Sequence, residues 1–378
     1  MKKEFYSNGK LLLTGEYAVL DGALALAVPT RYGQSLSVTE IASPQLRWKS
    51  FDKDGAVWFE MTLELADLHK LSKKELSKSE GLNDADVITT LDLGATSKST
   101  AGVLIKILTE AKNINPEFLS TEKGYSIETK LDFRRDWGLG SSSTLINNIA
   151  ELAEVDAYRL LWNSFSGSGY DIACAQHNTP ILYRLPKTVM PNLPEKQNRS
   201  RGSRGSSEKE NPLRAADDLS KGLKRFSGKD DLLQIPNDLS RIPEVTPIDF
   251  APPFTSNLFF VHLNKKQNSR DGIATYRKSD FDKSLLVKKL SEVTEQLAIC
   301  QELTRFKLLI DRHEDLISKA LNLPTVKESL FPDFDGSIKS LGAWGGDFVL
   351  AIGDEDDSPY FKDRRYQTVI PYRDMVLT

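Results

Sequence analysis

Apolar and polar residues alternate loosely from Phe5 to Thr14 and end in Leu11-Leu12-Leu13, the pattern of a strand that starts half-buried and finishes buried. Gly15 to Gly22 is bracketed by glycines and reads as a short turn or helix. Leu24 to Val28 and Gln34 to Thr39 read as two further strands. Leu46 to Leu65 reads as a hairpin turned by Asp54-Gly55. Leu68 to Glu80 is charged and reads as a surface segment. Val103, Leu104, Ile107 and Leu108 predict a helix over Thr100 to Lys112. Tyr125 to Phe133 mixes aromatic, β-branched and polar residues as a strand does. Leu145, Ile149, Leu152 and Val155 then fall at helical spacing.

Past Gly167-Ser168-Gly169, a short helix is expected from Tyr170 to His177 and a strand from Thr179 to Leu185. Composition shifts between Lys187 and Pro247. Glu195 to Asp231 carries too few large apolar residues to offset the entropy of ordering, so 187–247 is expected to be a mobile insertion. Its basic island, Arg199, Arg201 and Arg204, reads as a solvated run. Leu258 to Leu263 resumes as a buried strand, and Leu285 to Leu321 predicts two helices covering a sheet. Ser337 to Leu341 leads into Gly342-Ala343-Trp344-Gly345-Gly346-Asp347 and then the strand Phe348–Ile352, and Thr368 to Leu377 reads as the closing strand. Strand runs mixed with helices, without strict alternation, give an α+β class. The expected division is 1–186, the insertion, and 248–378.

The 378 residues suffice for two domains with a large core. A formal charge of -3 argues against a surface built for nucleic acid. Two cysteines fit a reducing cytoplasm, and no signal peptide or membrane span is expected. The four histidines form no helical pair, so no zinc site is expected.

Candidate chemistry sits in three glycine-containing stretches. Gly138-Leu139-Gly140-Ser141-Ser142-Ser143 joins a strand to a helix start, where unpaired amides and the helix dipole suit a phosphate. An ordinary Ser/Thr N-cap is the alternative. No Gly-Lys-Ser/Thr closes the loop, Ser143 stands where a dinucleotide fingerprint needs glycine, and a nucleophile elbow lacks its second flanking glycine. Lys10 precedes a buried strand end and reads either as a charge near a reaction centre or as an exposed strand lysine. Asp171, in the first turn of a small apolar helix, either complements the helix dipole or accepts a proton from a hydroxyl. Lys265-Lys266 reads as a solvated loop, with an anion-binding role as the alternative. Cys174 reads as a core residue.

Taken together, these stretches resemble the GHMP superfamily of small-molecule kinases, which includes galactokinase, homoserine kinase, mevalonate kinase and phosphomevalonate kinase. Lys10 to Ala27 is similar to the N-terminal block with its Gly15-Glu16 pair, Gly138 to Ser143 to the phosphate loop, and Leu341 to Ile352 to the C-terminal glycine block. Gly169-Tyr170-Asp171-Ile172-Ala173 matches the run that names the GYDIA group. The resemblance implies an N-terminal domain like ribosomal protein S5, a C-terminal ferredoxin-like domain and ATP bound between them.

The resemblance also implies roles. Gly138, Leu139, Gly140, Ser141, Ser142 and Ser143 would cradle the ATP phosphates, with Ser142 on the magnesium side. Asp171 would be the base or orienting group and Lys10 the charge stabiliser. Gly342, Ala343, Gly345 and Gly346 would line the cleft, and Glu16, Ser168, Gly169 and Arg135 would lie on the substrate side. The implied partners are ATP, Mg2+ and a small acceptor. A mevalonate-pathway compound of isoprenoid biosynthesis comes first. Sugar or homoserine-type kinases, a diphosphomevalonate decarboxylase and a catalytically silent nucleotide-binding protein are the alternatives. No nucleic acid or membrane partner is expected, and a homodimer stays open.

Three departures from the pattern stand out. Ala157 to Tyr170 lacks a carboxylate for magnesium, leaving Glu154 or Asp156 as substitutes. Trp344 replaces a glycine, either walling the cleft or packing on the nucleotide, or simply packing within the fold. Arg134-Arg135-Asp136-Trp137 replaces the usual proline, its arginines serving an anionic substrate or pairing with Asp132 and Asp136.

Overall fold

β1 (Lys2–Leu12) pairs antiparallel with β2 (Ala25–Ile41) along most of its length. The computed structural model describes residues 2–74, 95–119, 123–186, 242–266, 269–355 and 357–378. The two strands read separately at 24–28 and 34–39 are one, because the chain stays extended through a bulge. Asn8 faces Gly33 and Gly9 faces Thr30, which leaves Arg31 and Tyr32 unopposed. β3 (Gln45–Phe51) and β4 (Val57–Glu64) form the expected hairpin.

α1 (Leu65–Lys74) corrects the reading of a charged surface segment. Leu65, Leu68 and Leu71 recur on one face and are buried, while the charged residues between them face solvent. The rest of that segment, 75–80, lies outside the described residues. α2 (Ala95–Ile114) leads to β5 (Gly124–Leu131), α3 (Ser141–Ala153), α4 (Ala157–Ser164), α5 (Tyr170–Gln176) and β6 (Ile181–Arg184). α4 was not anticipated. It is short, and Asp156 caps it by accepting the Arg159 N–H.

The insertion reading falls largely on 187–241, outside the described residues. Its last part contains β7 (Glu244–Pro247), which pairs with β6. The first sheet runs β4-β3-β5-β2-β6-β7, with β1 along the other edge of β2. β6 holds Ala25–Ala27 of β2 and β5 holds Gln34–Ile41, so β2 has no partner on that side between them. Gly9 and Lys10 register opposite this gap.

β8 (Leu258–His262) is buried on both faces, which explains its unbroken apolar run. α6 (Ser269–Lys278), α7 (Lys283–Ala298), α8 (Leu303–Leu321) and α9 (Val326–Leu330) follow, then β9 (Ser337–Leu341), β10 (Phe348–Ile352), α10 (Ser358–Asp363), β11 (Val369–Pro371) and α11 (Tyr372–Met375). The closing strand is shorter than expected: after Pro371 the chain turns helical and only Val376 bridges back, to Thr30. The second sheet is antiparallel in the order β11-β8-β10-β9, a ferredoxin-like arrangement. Leu11, Leu13 and Val28 share a core with Phe260, Phe348 and α8, so the two sheets and their helices form one compact unit.

Candidate active site

The loop after β5 rests on β1 opposite the gap. Leu139 is buried, and its carbonyl accepts the Lys10 N–H at 3.0 Å. Gly138 and Gly140 are left-handed, with φ of 66° and 91°. A Cβ on Gly138 would lie 2.3 Å from the Asp347 carboxylate, so only glycine lets the C-terminal block close on the loop. Gly140 starts α3, and its carbonyl accepts both the Ser143 hydroxyl at 2.8 Å and the Thr144 N–H at 3.0 Å. The first turn of α3 therefore keeps its other amides outside the helix ladder, and Ser142 is exposed.

One cleft of about 310 Å³ runs along this loop. Lys10 from β1, Asp171 and Tyr170 from the first turn of α5, and Asp347 from the end of the glycine block all line it. The Lys10 ammonium donates to the Gly138 carbonyl at 3.0 Å and lies 5.8 Å from the Tyr170 ring centre. Burial pulls its pKa down, but Tyr170, Asp171 and Asp347 more than reverse this, leaving it above the ordinary lysine value. Asp171 shifts up because burial disfavours its charge, against opposition from Lys10 and the Ile172 N–H, which donates at 3.1 Å. Burial also pushes the Tyr170 phenol up to about 12, with Lys10 opposing. The site thus brings together a held cation, a carboxylate moved toward neutral pH and a row of helix-start donors.

Most residues named from sequence meet here. Gly138, Gly140, Ser141, Ser142, Ser143, Ser168, Gly342 and Ala343 line the cleft with Lys10 and Asp171. Leu139 supports it from below. Gly169, with φ of 87°, starts α5 behind it. Gly345 is left-handed and donates its N–H to the Ser340 hydroxyl at 3.2 Å, and the Gly346 N–H donates to the Ala343 carbonyl at 3.0 Å, so both shape the block without lining the cleft. Tyr170 was not selected from sequence, and Lys266 was named only in the alternative to a solvated loop. Tyr170 carried a signal, as the large residue beside Asp171. Lys266, read as a solvated loop, lines the cleft and donates to the Arg135 carbonyl at 3.1 Å.

One expectation is corrected, and several open alternatives are decided. Arg135 does not reach the cleft: its guanidinium sits 3.8 Å over the Trp58 ring. Arg134 pairs with Asp136 at 2.8 Å. For Trp344 the packing alternative holds: it lies against the cluster of Tyr17, Ala18 and Tyr276 and does not line the cleft. Its indole N–H donates to the Pro324 carbonyl at 3.1 Å and its backbone N–H to the Tyr17 hydroxyl at 2.8 Å, and Gly345 makes the turn instead. Glu154 ends α3 and Asp156 caps α4, both exposed and outside the cleft lining.

Glu16 lines the cleft, yet its carboxylate is tied inward, 2.5 Å from the Lys339 ammonium and 3.3 Å from His313 Nε2. His313 Nε2 accepts the Gly15 N–H at 2.9 Å, which fixes a neutral ring. Burial first, then Lys339, lowers its pKa to about 3 against the pull of Glu16. A histidine lowered on folding stabilises above its unfolded pKa, near 6.5, and loses that contribution as pH falls toward 3. Acidification from pH 7 to 4 should therefore cost roughly 3 kcal/mol through this one group. Denaturant unfolding at both pH values tests this, and His313→Gln should flatten the difference.

The architecture is the two-domain α+β fold of the GHMP kinases. Among solved structures it is similar to L. major mevalonate kinase in complex with R-mevalonate, at 13% identity over 97% of this chain and 94% of that one, with a TM-score of 0.56. It is likewise similar to Streptococcus pneumoniae phosphomevalonate kinase in complex with phosphomevalonate and AMPPNP, at 16% identity, 96% of each chain and a TM-score of 0.56. A third is Lactococcus lactis galactokinase complexed with galactose, at 12% identity, 96% of this chain, 88% of that one and a TM-score of 0.51. No family profile and no curated protein sequence matches the chain.

Proposed function

We propose that the protein is an ATP-dependent kinase that transfers the γ-phosphoryl group to a hydroxyl or phosphate of a small metabolite. The observation that carries this reading is the convergence of Lys10, Asp171 and the Gly138–Ser143 loop on one cleft. Helix-start amides and the Ser142 hydroxyl would hold the nucleotide's phosphates. Asp171 would accept the acceptor's proton, and Lys10 would stabilise charge on the transferring group. Residues 1–186 and 248–378 would be the two domains, with the nucleotide between them.

Magnesium fits the donor set, because the cleft supplies hard oxygen ligands in Ser142 and Asp347, of the type that ion takes beside nucleotide phosphates. Among the described residues no group of three His, Cys, Asp or Glu could hold a metal by itself. When bound, it would neutralise charge on the phosphate oxygens.

The rest of the lining favours an acceptor with an aliphatic body. Leu12, Val19, Leu20, Leu161 and Ile273 face the cleft, and against them the hydroxyls of a hexose would lose their hydrogen bonds to water. This supports a mevalonate-pathway compound over a sugar, and with it a place in isoprenoid biosynthesis. No helix among the described residues is long and apolar enough to cross a membrane. A cytoplasmic location is part of the proposal.

A coupled ADP-release screen over mevalonate, phosphomevalonate, homoserine and hexoses tests the reading. Acceptor-dependent release with one of the first two is the expected result. Release of carbon dioxide from a diphosphorylated acceptor would identify a decarboxylase. Nucleotide binding without turnover on any acceptor would overturn the kinase reading in favour of a silent binding protein.

A further inference from the structure

We infer that Asn147 is a positioning residue, a buried junction that fixes three elements relative to one another: the strand bearing Lys10, the helix that starts at the phosphate loop, and the helix bearing Asp171. The inference rests on the kinase reading above. It starts from an irregularity in α3. Thr144, Asn147, Asn148 and Glu151 recur at helical spacing, and the first three are fully buried where a packed helix would normally present apolar side chains.

Each of the three is paired. The Asn147 amide nitrogen donates to the Ser7 hydroxyl at 2.9 Å and to Glu151 Oε1 at 2.8 Å, using both its hydrogens. Its oxygen accepts the Gln176 side-chain amide at 2.9 Å. Ser7 donates onward to Asn148 Oδ1 at 2.8 Å, and Asn148 donates to the Gln34 carbonyl at 2.9 Å. Thr144 donates to Gln34 Oε1 at 2.7 Å. The next residue of the strand, Asn8, donates to the His177 carbonyl and to Asn178 Oδ1, both at 2.8 Å, and so ties down the end of α5 as well.

The members of this network stand close to the chemistry. Ser7 is three residues from Lys10 on β1, Asn147 four residues past Ser143, and Gln176 five residues past Asp171. Leucines on this stripe would also bury area, but dispersion is not directional and would leave the rotation of α3 on β1 less defined. A satisfied polar network allows one arrangement, because any slip strands a buried donor or acceptor. Phosphoryl transfer depends on such alignment more than on covalent chemistry.

The test uses the full chain. Gln176→Ala removes a side chain at the solvent end of α5 and cuts only its link to Asn147, whereas Asn147→Ala cuts all three links. Gln176→Ala should lower kcat about tenfold with KM for ATP nearly unchanged, and Asn147→Ala should lower it about 100-fold. Without substrates, amide exchange should speed up across Tyr170–Gln176 in Gln176→Ala and stay unchanged across Ser141–Ala153. A Gln176→Ala protein that exchanges and turns over like wild type overturns the inference. So does an Asn147→Ala protein with lowered Tm but wild-type kcat per folded molecule. Should wild type turn over no acceptor while Tyr170–Gln176 exchange still responds, the kinase reading fails and the junction stands. Unchanged exchange there removes the junction whatever the activity.

Discussion

Replacing Asp171 with asparagine should lower turnover by about 10²- to 10⁴-fold while leaving nucleotide affinity within a few-fold of wild type. The substitution keeps the side chain's shape and an oxygen to accept the Ile172 N–H, so α5 has no reason to move. It removes the one carboxylate in the first turn of that helix, at a place where burial raises its pKa and the Lys10 ammonium opposes the rise. A general base works best when its pKa approaches the working pH, and the upward shift is in that direction. Nucleotide affinity is spared because the phosphates would be held by the Gly138–Ser143 loop, which Asp171 does not support. ADP release under saturating acceptor, together with calorimetric titration of ATP, separates the two effects. An undiminished rate removes Asp171 from the mechanism, and a parallel loss of ATP binding assigns it to the nucleotide.

The Gly138–Ser143 loop was legible because its backbone accepts few alternatives. Left-handed φ at Gly138, with a carboxylate 2.3 Å from where a Cβ would lie, requires glycine, and a requirement of that kind survives in the sequence as a motif. β8 was legible for a similar reason, since burial on both faces leaves an unbroken apolar run. α1 was missed because its three leucines are interleaved with charges that dominate a reading by composition. Arg135 was misassigned, and Trp344 left between two readings, because their partners, Trp58 and Pro324, come from elements that local pattern does not connect to them. A stacked guanidinium and one that faces an anion look the same in a sequence. The Asn147 junction had a visible sign, a polar stripe on an otherwise apolar helix, but a stripe names no partners. Lys339 is the extreme case. A lysine inside a short strand reads as an edge residue, and its partner Glu16 lies 323 positions earlier.

That lysine carries the second large effect: Lys339→Met should destabilise the protein by about 3–5 kcal/mol. Its side chain is fully buried, with the ammonium 2.5 Å from Glu16 Oε1 and 3.0 Å from Glu314 Oε1. Methionine fills most of the same volume, so the loss comes from charge rather than from a cavity. The two carboxylates, 3% and 2% exposed, would remain without the cation that offsets their desolvation. A deficit of this size is a large share of the total stability of an ordinary domain. It should appear as a lower urea midpoint with an unchanged slope. The pH dependence distinguishes this cause from poor packing. Burial already holds the Glu314 pKa above its ordinary value, with Lys339 the first opposing influence, so removing the lysine lets it rise further. A carboxyl whose pKa is raised on folding costs stability once it ionises, and that cost fades as pH falls back through the folded-state pKa. The deficit of Lys339→Met relative to wild type should therefore shrink between pH 8 and pH 5. Adding Glu16→Gln and Glu314→Gln should recover most of it at pH 8, since a neutral amide keeps an oxygen for the Ser340 N–H that Glu314 now accepts at 3.0 Å. A deficit below about 1 kcal/mol, or one that acidification leaves unchanged, would mean that these buried charges are not what the methionine exposes.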